Sequence, residues 1–130
     1  MQTIKPTIIA ITGASASGKT LFAQTIFDEM LTELGANGIT IIKEDAYYRA
    51  QDHLPINERE KTNYDHPNAF EHDLLSQHLT SLLNNQAVES PVYCYQTHTR
   101  TDRTTPLQPT PIILVEGILL FTNPELRNCF

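Results

Sequence analysis

The sequence predicts an α/β fold built on a parallel β-sheet, and three apolar runs carry the prediction. Residues 8–11, 39–42 and 112–115 are short runs rich in Ile and Val, as buried strands are. Between the first two, apolar side chains recur every three or four residues from 18 to 35, which is typical of an amphipathic helix. A strand, a helix and a second strand in this order form a right-handed parallel crossover.

The segment after the second strand is predicted to be irregular before another helix begins. Residues 47–67 are polar, with only a weak helical pattern around 57–61. Asn68 and Glu71 have the spacing of a capping box, in which each side chain bonds to the other residue's backbone N–H. Apolar side chains then recur along one helical face from 70 to 83, so a helix is expected there.

The last third of the chain is predicted to contain a short strand, a turn region, the third core strand and the start of a helix. Residues 92–95 alternate as a strand does, whereas residues 97–108 have the composition of turns. The core strand at 112–115 follows, and residues 123–130 are expected to begin a helix.

Composition limits the classes of partner. The 130 residues fit one domain and contain 9 Lys and Arg against 15 Asp and Glu, a formal charge of −6. Basic residues form no run, which argues against a nucleic-acid surface. The sequence has no membrane-spanning segment and no apolar signal-peptide core, so a cytoplasmic protein without membrane attachment is expected. Cys94 and Cys129 have no metal or redox spacing, and free thiols are expected.

Residues 13–20 match the phosphate-binding pattern G-x-x-x-x-G-K-[ST]. They are Gly13, Ala14, Ser15, Ala16, Ser17, Gly18, Lys19 and Thr20. Glycines let successive backbone N–H groups turn inward as an anion nest, and the following helix adds its positive end. Lys19 then reaches the β- and γ-phosphates of a nucleotide, and the Thr20 hydroxyl binds Mg²⁺. The motif follows a strand and opens a helix, which favours a three-layer P-loop NTPase fold over a glycine-rich turn without ligand.

Two acidic residues are predicted to face this loop. Glu116 ends the third apolar run, as in a Walker B element, where a carboxylate can hold Mg²⁺ or a water of its shell. Asp45 follows the second strand, and the carboxyl ends of parallel strands form one crevice, so the two acids should converge. Asp45 there could accept the proton of an alcohol during phosphoryl transfer. A solvated glutamate and a strand-end cap are the alternatives.

Further motifs carry a family resemblance. They are EDAYY at 44–48, NYDHP at 63–67, PVYCY at 91–95, HTR at 98–100 and EGIL at 116–119. With the phosphate loop in this order, the chain resembles the uridine kinase (uridine-cytidine kinase) family over nearly its whole length. The phosphate loop is shared by many NTPases, whereas the Tyr-Asp-His-Pro and Pro-Val-Tyr…His-Thr-Arg pieces are specific to this family.

The resemblance implies transfer of the γ-phosphate of ATP or GTP to the 5′-hydroxyl of uridine or cytidine, as in pyrimidine salvage. It implies that Asp45 is the general base, that Lys19 acts on the transferred phosphate, and that Mg²⁺ is surrounded by Thr20, Asp45 and Glu116. The implied substrate-binding residues are Tyr48, Tyr64, Asp65, Tyr93 and His98. Among these, Asp65 would hold the ribose hydroxyls, while Tyr93 and His98 would recognise the pyrimidine.

Several of these residues have structural alternatives. Tyr93 could be a core aromatic residue, His98 a surface histidine in a turn, and Asp65 the cap of the helix that follows. Arg100 and Arg103 could be solvated, and they are left out of the catalytic set. At the level of the whole chain, the alternatives are an inactive nucleotide-binding remnant and a related P-loop kinase acting on phosphoribulose or pantothenate.

The resemblance also implies that the fold is incomplete at its C-terminus. The family continues with another strand, an arginine-rich lid and a final strand, and its full-length members are expected to be homo-oligomers. An arginine on the transition-state charge is worth about 10³ to 10⁵ in rate, so these 130 residues are expected to bind nucleotide weakly and turn over little or not at all. The first strand is expected at an exposed sheet edge, which favours marginal stability or self-association.

Overall fold

The computed structural model describes residues 5–13 and 19–130, without the side chains of Lys19 and Thr20. The strands are β1 (Thr7–Thr12), β2 (Ile39–Lys43), β3 (Val88–Cys94), β4 (Thr99–Leu107) and β5 (Ile112–Gly117). The helices are α1 (Lys19–Leu34), α2 (Ile56–Arg59), α3 (His72–Leu83) and α4 (Pro124–Arg127), with 3₁₀ turns at Glu44–Tyr47 and Pro67–Ala69. No helix in these described ranges has the length and apolar character to cross a bilayer.

Three of the strands form a parallel sheet in the order β1-β5-β2, which confirms the predicted α/β fold. Thr7 of β1 and Ile39 of β2 both lie opposite Ile112 of the central strand β5. Because all three strands run the same way, their carboxyl ends lie along one edge of the sheet. β1 lies at one side of the described sheet, where the sequence placed it.

The sheet is packed on both faces, and β5 shows the alternation most clearly. Ile113 and Val115 belong to one buried cluster, whereas Leu114 belongs to another with Ala23 of α1. The first cluster is completed by side chains of α3, namely Leu75, Leu79 and Leu82. Since successive side chains of a strand point to opposite faces, Glu116 lies on the α1 face with Leu114. α1, which begins within the phosphate motif, packs on this face of the sheet.

The prediction of a turn region at 97–108 is wrong. β4 occupies Thr99–Leu107 and pairs antiparallel with β3, Val88 opposite Leu107 and Cys94 opposite Thr99. Most β4 side chains are exposed, so the strand needs no apolar alternation and gives no apolar signal in the sequence. β3 is longer than the predicted 92–95 and includes Pro91, which lies at the register irregularity of the pair, a position that a residue without an N–H tolerates.

The predicted capping box is also wrong, although the helix it was expected to open is present. α3 begins at His72, and its N-cap residue Glu71 makes no side-chain cap hydrogen bond. The Glu71 carboxylate pairs instead with Arg100 at 2.8 Å. Asn68 lies in the preceding 3₁₀ turn, where its backbone N–H donates to Nδ1 of His66 at 3.0 Å. Both residues of the box therefore have other partners.

The other local expectations agree with the structure. A short helix lies within the polar segment at Ile56–Arg59. α4 begins after Asn123, whose side chain accepts the backbone N–H of Leu126 at 3.1 Å. Cys94 and Cys129 are both free thiols, as predicted.

Candidate active site

The phosphate-binding motif lies largely outside the described residues. Gly13 follows β1, and α1 starts at Lys19, so the motif stands between a strand and a helix as it requires. The expectations for Ala14, Ser15, Ala16, Ser17 and Gly18, and for the side chains of Lys19 and Thr20, fall outside what the structure describes. Phosphate binding by these residues stays a prediction.

Both predicted acids lie at the carboxyl edge of the sheet. Glu116 is the second-last residue of β5 and is 5% exposed, opposite Lys43 at the end of β2. Asp45 stands two residues beyond Lys43, exposed, in the 3₁₀ turn that follows β2. The fold thus brings the two acids to the edge at which Gly13 leaves β1, and it presents Glu116 on the α1 face.

Of the three residues predicted to bind Mg²⁺, only Asp45 and Glu116 have side chains that the structure describes. Among the described side chains, no group of three or more His, Cys, Asp and Glu could hold a metal ion. The predicted Mg²⁺ ligands include only two acids, Asp45 and Glu116. The third predicted ligand is the hydroxyl of Thr20. The carboxylate oxygens at this edge suit Mg²⁺, which keeps several of its own waters and needs few protein ligands.

An aromatic cavity of about 210 Å³ adjoins Asp45. Its lining residues are Asp45, Tyr48, Tyr64, Tyr93, Tyr95 and His98. Four of the five residues predicted to bind substrate are therefore brought together around one space, next to the predicted base. A larger groove of about 440 Å³ between β2 and the β3–β4 hairpin shares Asp45, Tyr93 and Tyr95 with this cavity.

Asp65 is the predicted substrate residue that does not line the cavity. It is exposed, and its backbone N–H donates to Oδ1 of Asn63 at 3.1 Å. Its carboxylate is nevertheless close enough to Tyr48 to contribute to the raised pKa of that phenol. The residue lies at the margin of the site, and it does not cap α3, whose N-cap residue is Glu71.

Tyr48 is the centre of the aromatic packing. Its ring stacks on Phe70 at 4.4 Å between centroids and meets Tyr64 edge-on at 5.1 Å. Tyr93 lies 5.2 Å away from it at a tilt. Burial, followed by the negative charge of Asp45, raises the pKa of Tyr48 to about 12, and burial likewise raises the pKa of Tyr93. Tyr48 and Tyr93 are therefore uncharged phenols at neutral pH.

Tyr95 is a lining residue that sequence reasoning did not assign to the site. Its hydroxyl donates to the backbone oxygen of Asp45 at 3.2 Å, and its ring contacts Tyr93 edge-on at 5.2 Å. The bond joins the end of β3 to the turn that carries the predicted base. The signal was present in the spacing, because Tyr95 follows Tyr93 by two residues and shares its side of the chain.

Arg100 of β4 is anchored to the same turn. Its Nε donates to the Tyr48 backbone oxygen at 2.9 Å, and Nη2 donates to the Tyr47 oxygen at 3.4 Å. Nη1 pairs with Glu71, and only 19% of the arginine side chain is exposed. The alternative of a solvated Arg100 is therefore wrong, whereas Arg103 is exposed as that alternative expected. Arg100 holds the turn that carries Tyr48.

Glu44, the neighbour of Asp45, is a buried brace that the sequence did not reveal. Its Oε2 lies 2.6 Å from Nε2 of His72, and its Oε1 accepts backbone N–H bonds from Ile118 at 2.8 Å and Leu119 at 3.0 Å. A Cβ added at Gly117 would lie 2.5 Å from the Glu44 Cβ, so the close approach requires glycine there. One carboxylate thus joins the ends of β2 and β5 to the start of α3.

Comparisons with known proteins agree with this geometry. The family model described as "Phosphoribulokinase / Uridine kinase family" matches residues 8–129. The uridine kinase of Aeromonas hydrophila subsp. hydrophila is 57% identical over 121 residues, which are 93% of this chain and 56% of the relative. That of Vibrio cholerae serotype O1 is 54% identical, covering 93% and 57% respectively. The chain spans a little over half the length of these curated relatives.

Solved structures support the fold. A possible uridine kinase from Bacillus stearothermophilus superposes with a TM-score of 0.71 at 23% identity, covering 100% of this chain and 70% of that one. A putative fructose transport system kinase from Silicibacter sp. TM1040 gives 0.75 at 16% identity, covering 98% and 62%. These similarities confirm the P-loop kinase type of α/β fold. Together with the matched family model, they show that the chain belongs to the phosphoribulokinase / uridine kinase family.

Proposed function

We propose that the chain carries the acceptor site of a nucleoside kinase, which transfers the γ-phosphate of ATP or GTP to the 5′-hydroxyl of uridine or cytidine in pyrimidine salvage. The observation that carries the proposal is the aromatic cavity of about 210 Å³ adjoining Asp45 at the carboxyl edge of the sheet. The identity of 53–57% to curated uridine kinases supports the same assignment. We propose that residues 1–130 all belong to a single P-loop kinase domain of that enzyme.

The chemistry of the cavity suits an uncharged ring system. Its tyrosine rings offer flat apolar surfaces for a pyrimidine, and the imidazole of His98 can hydrogen-bond to the edge of a base. No Lys or Arg stands among the described residues that line the cavity. A phosphorylated sugar is commonly bound through such a cation, so the lining favours a nucleoside over phosphoribulose. Asp65, exposed beside Tyr48, is proposed to accept hydrogen bonds from the ribose hydroxyls.

Asp45 is the proposed general base. An exposed carboxylate beside the cavity can accept the proton of the attacking 5′-hydroxyl, because Asp45 is a lining residue of the space where that hydroxyl would lie. Lys19 and the phosphate loop are proposed to hold the triphosphate, and Thr20, Asp45 and Glu116 the Mg²⁺. When bound, the ion would neutralise charge on the transferred phosphate.

The test separates binding from transfer. Calorimetry of the 130-residue chain with ATP·Mg²⁺ and with uridine measures each affinity, and ribulose 5-phosphate serves as the competing acceptor. Single-turnover transfer with protein in excess then measures chemistry even if turnover is slow. Asp45→Asn should lower that rate by about 10² to 10⁴, the usual contribution of a general base, while Asp102→Asn on exposed β4 should leave it unchanged.

The outcomes distinguish the candidates. Preference for ribulose 5-phosphate over uridine would contradict the nucleoside assignment. Binding of ATP and uridine without measurable transfer would favour the inactive nucleotide-binding remnant. An Asp45→Asn rate equal to that of the Asp102→Asn control would remove Asp45 from the chemistry.

A further inference from the structure

Gln51 is a buried amide behind the aromatic cavity and is 7% exposed. Its side-chain nitrogen donates to the His98 backbone oxygen at 2.7 Å and to the Tyr64 hydroxyl at 2.9 Å, and lies 3.4 Å from the Tyr93 hydroxyl. Its side-chain oxygen accepts the Thr62 hydroxyl. Because a backbone carbonyl can only accept, the contact with His98 fixes which end of the amide is nitrogen.

The three residues near this nitrogen, His98, Tyr64 and Tyr93, all line the cavity, whereas Gln51 itself does not. The Tyr64 hydroxyl is bonded on the side away from the cavity, since it accepts from Gln51 and donates to the Arg59 backbone oxygen at 2.6 Å. A phenol has one proton to donate, and Tyr64 donates it to the Arg59 oxygen, away from the cavity. Tyr64 therefore offers its ring to a ligand and keeps its hydroxyl in the wall.

His98 has a backbone conformation that needs such support. Its φ of 53° lies in the left-handed region, which is costly for a residue with a side chain and persists only where the surroundings impose it. Gln51 holds His98 through the carbonyl, and the Gln51 backbone N–H donates to the Thr99 hydroxyl at 2.7 Å. Arg59 donates to the Thr97 oxygen at 2.8 Å. Hydrogen bonds thus hold the hairpin tip at Thr97 and Thr99, on both sides of His98.

We propose that Gln51 is a positioning residue for nucleoside recognition, which sets the shape of the cavity by holding the His98 backbone and the Tyr64 hydroxyl. The inference rests on the proposed function and extends it. Gln51 does not touch the nucleoside; it fixes the imidazole that reads the base and the ring that packs on it. In consequence the Tyr64 hydroxyl contributes through Gln51 and not through the base.

The first test replaces Gln51 by Met, which has a similar shape and no donor. Calorimetry should show the uridine Kd raised about tenfold, equivalent to about 1.4 kcal/mol, with the Kd of ATP·Mg²⁺ within about twofold of wild type. Gln86→Met is the matched control, because Gln86 is exposed, and it should change neither Kd. Gln51→Asn, which keeps the amide but is one methylene shorter, should also weaken uridine selectively and serves if Gln51→Met folds poorly.

The second test asks whether the Tyr64 hydroxyl acts through Gln51. Tyr64→Phe alone should weaken uridine, whereas Tyr64→Phe added to Gln51→Met should cost less than about twofold more, because residues of one network are non-additive. In the ligand-free protein, the His98 and Tyr64 ring signals in NMR spectra should shift in Gln51→Met and stay in place in Gln86→Met. A purely structural role would lower affinity for both ligands alike.

Three results would be decisive against the inference. A wild-type uridine Kd in Gln51→Met, together with shifted His98 signals, would overturn the positioning role and leave the proposed function standing. Fully additive effects of Tyr64→Phe and Gln51→Met would place the Tyr64 hydroxyl on the base. Failure of the wild-type chain to bind uridine at all would overturn the proposed function and this inference with it.

Discussion

The carboxyl edge of the parallel sheet and the β3–β4 hairpin meet at Asp45, yet different interactions stabilise them. β5 is apolar and fully buried at Ile113, Leu114 and Val115. Most side chains of β4 are exposed, and hydrogen bonds donated by Arg100 to Tyr48 and by Gln51 to Thr99 attach the hairpin to the rest of the chain. Packing therefore fixes the strand that carries Glu116, whereas placed polar contacts fix the hairpin that carries Tyr93 and His98.

This difference has a consequence for substitutions. At the sheet edge, a substitution exposes buried groups of the core or leaves them without a partner, so the free energy of unfolding of the whole fold should fall. At the hairpin, a change removes a few hydrogen bonds near the surface, so the cavity should loosen before the sheet unfolds. The predictions below test this division, in order of decreasing effect.

Glu44→Ala should have the largest effect. It removes the partner of buried His72 and leaves two backbone N–H groups, of Ile118 and Leu119, without their acceptor. The free energy of unfolding should fall by about 3 kcal/mol or more in urea denaturation, since breaking a buried pair is costly. Glu60→Ala on the exposed surface is the control and should change it by less than about 0.5 kcal/mol. A loss of unfolding free energy below about 1 kcal/mol in Glu44→Ala would contradict the structural role given to Glu44.

Arg100→Gln should have an intermediate and local effect. The guanidinium binds the Tyr48 oxygen and Glu71 and is 19% exposed, so its loss should cost about 1 to 2 kcal/mol after solvent screening. Amide hydrogen exchange should accelerate in β3 and β4 more than in β5. Arg103→Gln, on the same strand but exposed, should leave the exchange unchanged. Equal acceleration in β5 would mean that the hairpin and the sheet unfold as one unit.

The smallest effect is expected from pH at His78. Burial lowers the pKa of His78, Arg100 lowers it further, and Glu71 partly opposes them. The unfolded chain therefore binds this proton at higher pH than the folded chain, so the stability contributed by neutral His78 is present above its ordinary pKa of 6.5 and is lost as the pH falls. Unfolding free energy measured from pH 7 to 5 should fall less steeply in His78→Gln than in wild type. Exposed His53→Gln should keep the wild-type slope.

The sheet could be predicted because its signal is local. The apolar runs at 8–11, 39–42 and 112–115 each predict a buried strand, and the glycine-rich motif predicts a loop between a strand and a helix. The hairpin could not be predicted in the same way. β4 reads TRTDRTTPL, with polar residues on both sides, and its pairing with β3 comes from backbone bonds that leave no pattern.

Within the site, motif residues were found and supporting residues were not. Tyr48, Tyr64, Tyr93 and His98 were assigned through family resemblance, and the fold gathers them around one cavity. Glu44 and Gln51 stand in polar stretches where nothing marks them as buried. Glu44 meets His72 across 28 residues, and Gln51 meets His98 across 47. Contacts of that range depend on the finished fold, so a single sequence does not reveal them.

The proposed binding of the nucleoside in the aromatic cavity beside Asp45 can be measured by NMR. Isotope-filtered spectra of the labelled 130-residue chain with unlabelled uridine would detect contacts from the base protons. We expect saturable contacts with ring protons of Tyr48, Tyr93 and His98, and their loss in Gln51→Met at the same uridine concentration. Saturable binding with base contacts only to residues outside this cavity would contradict it.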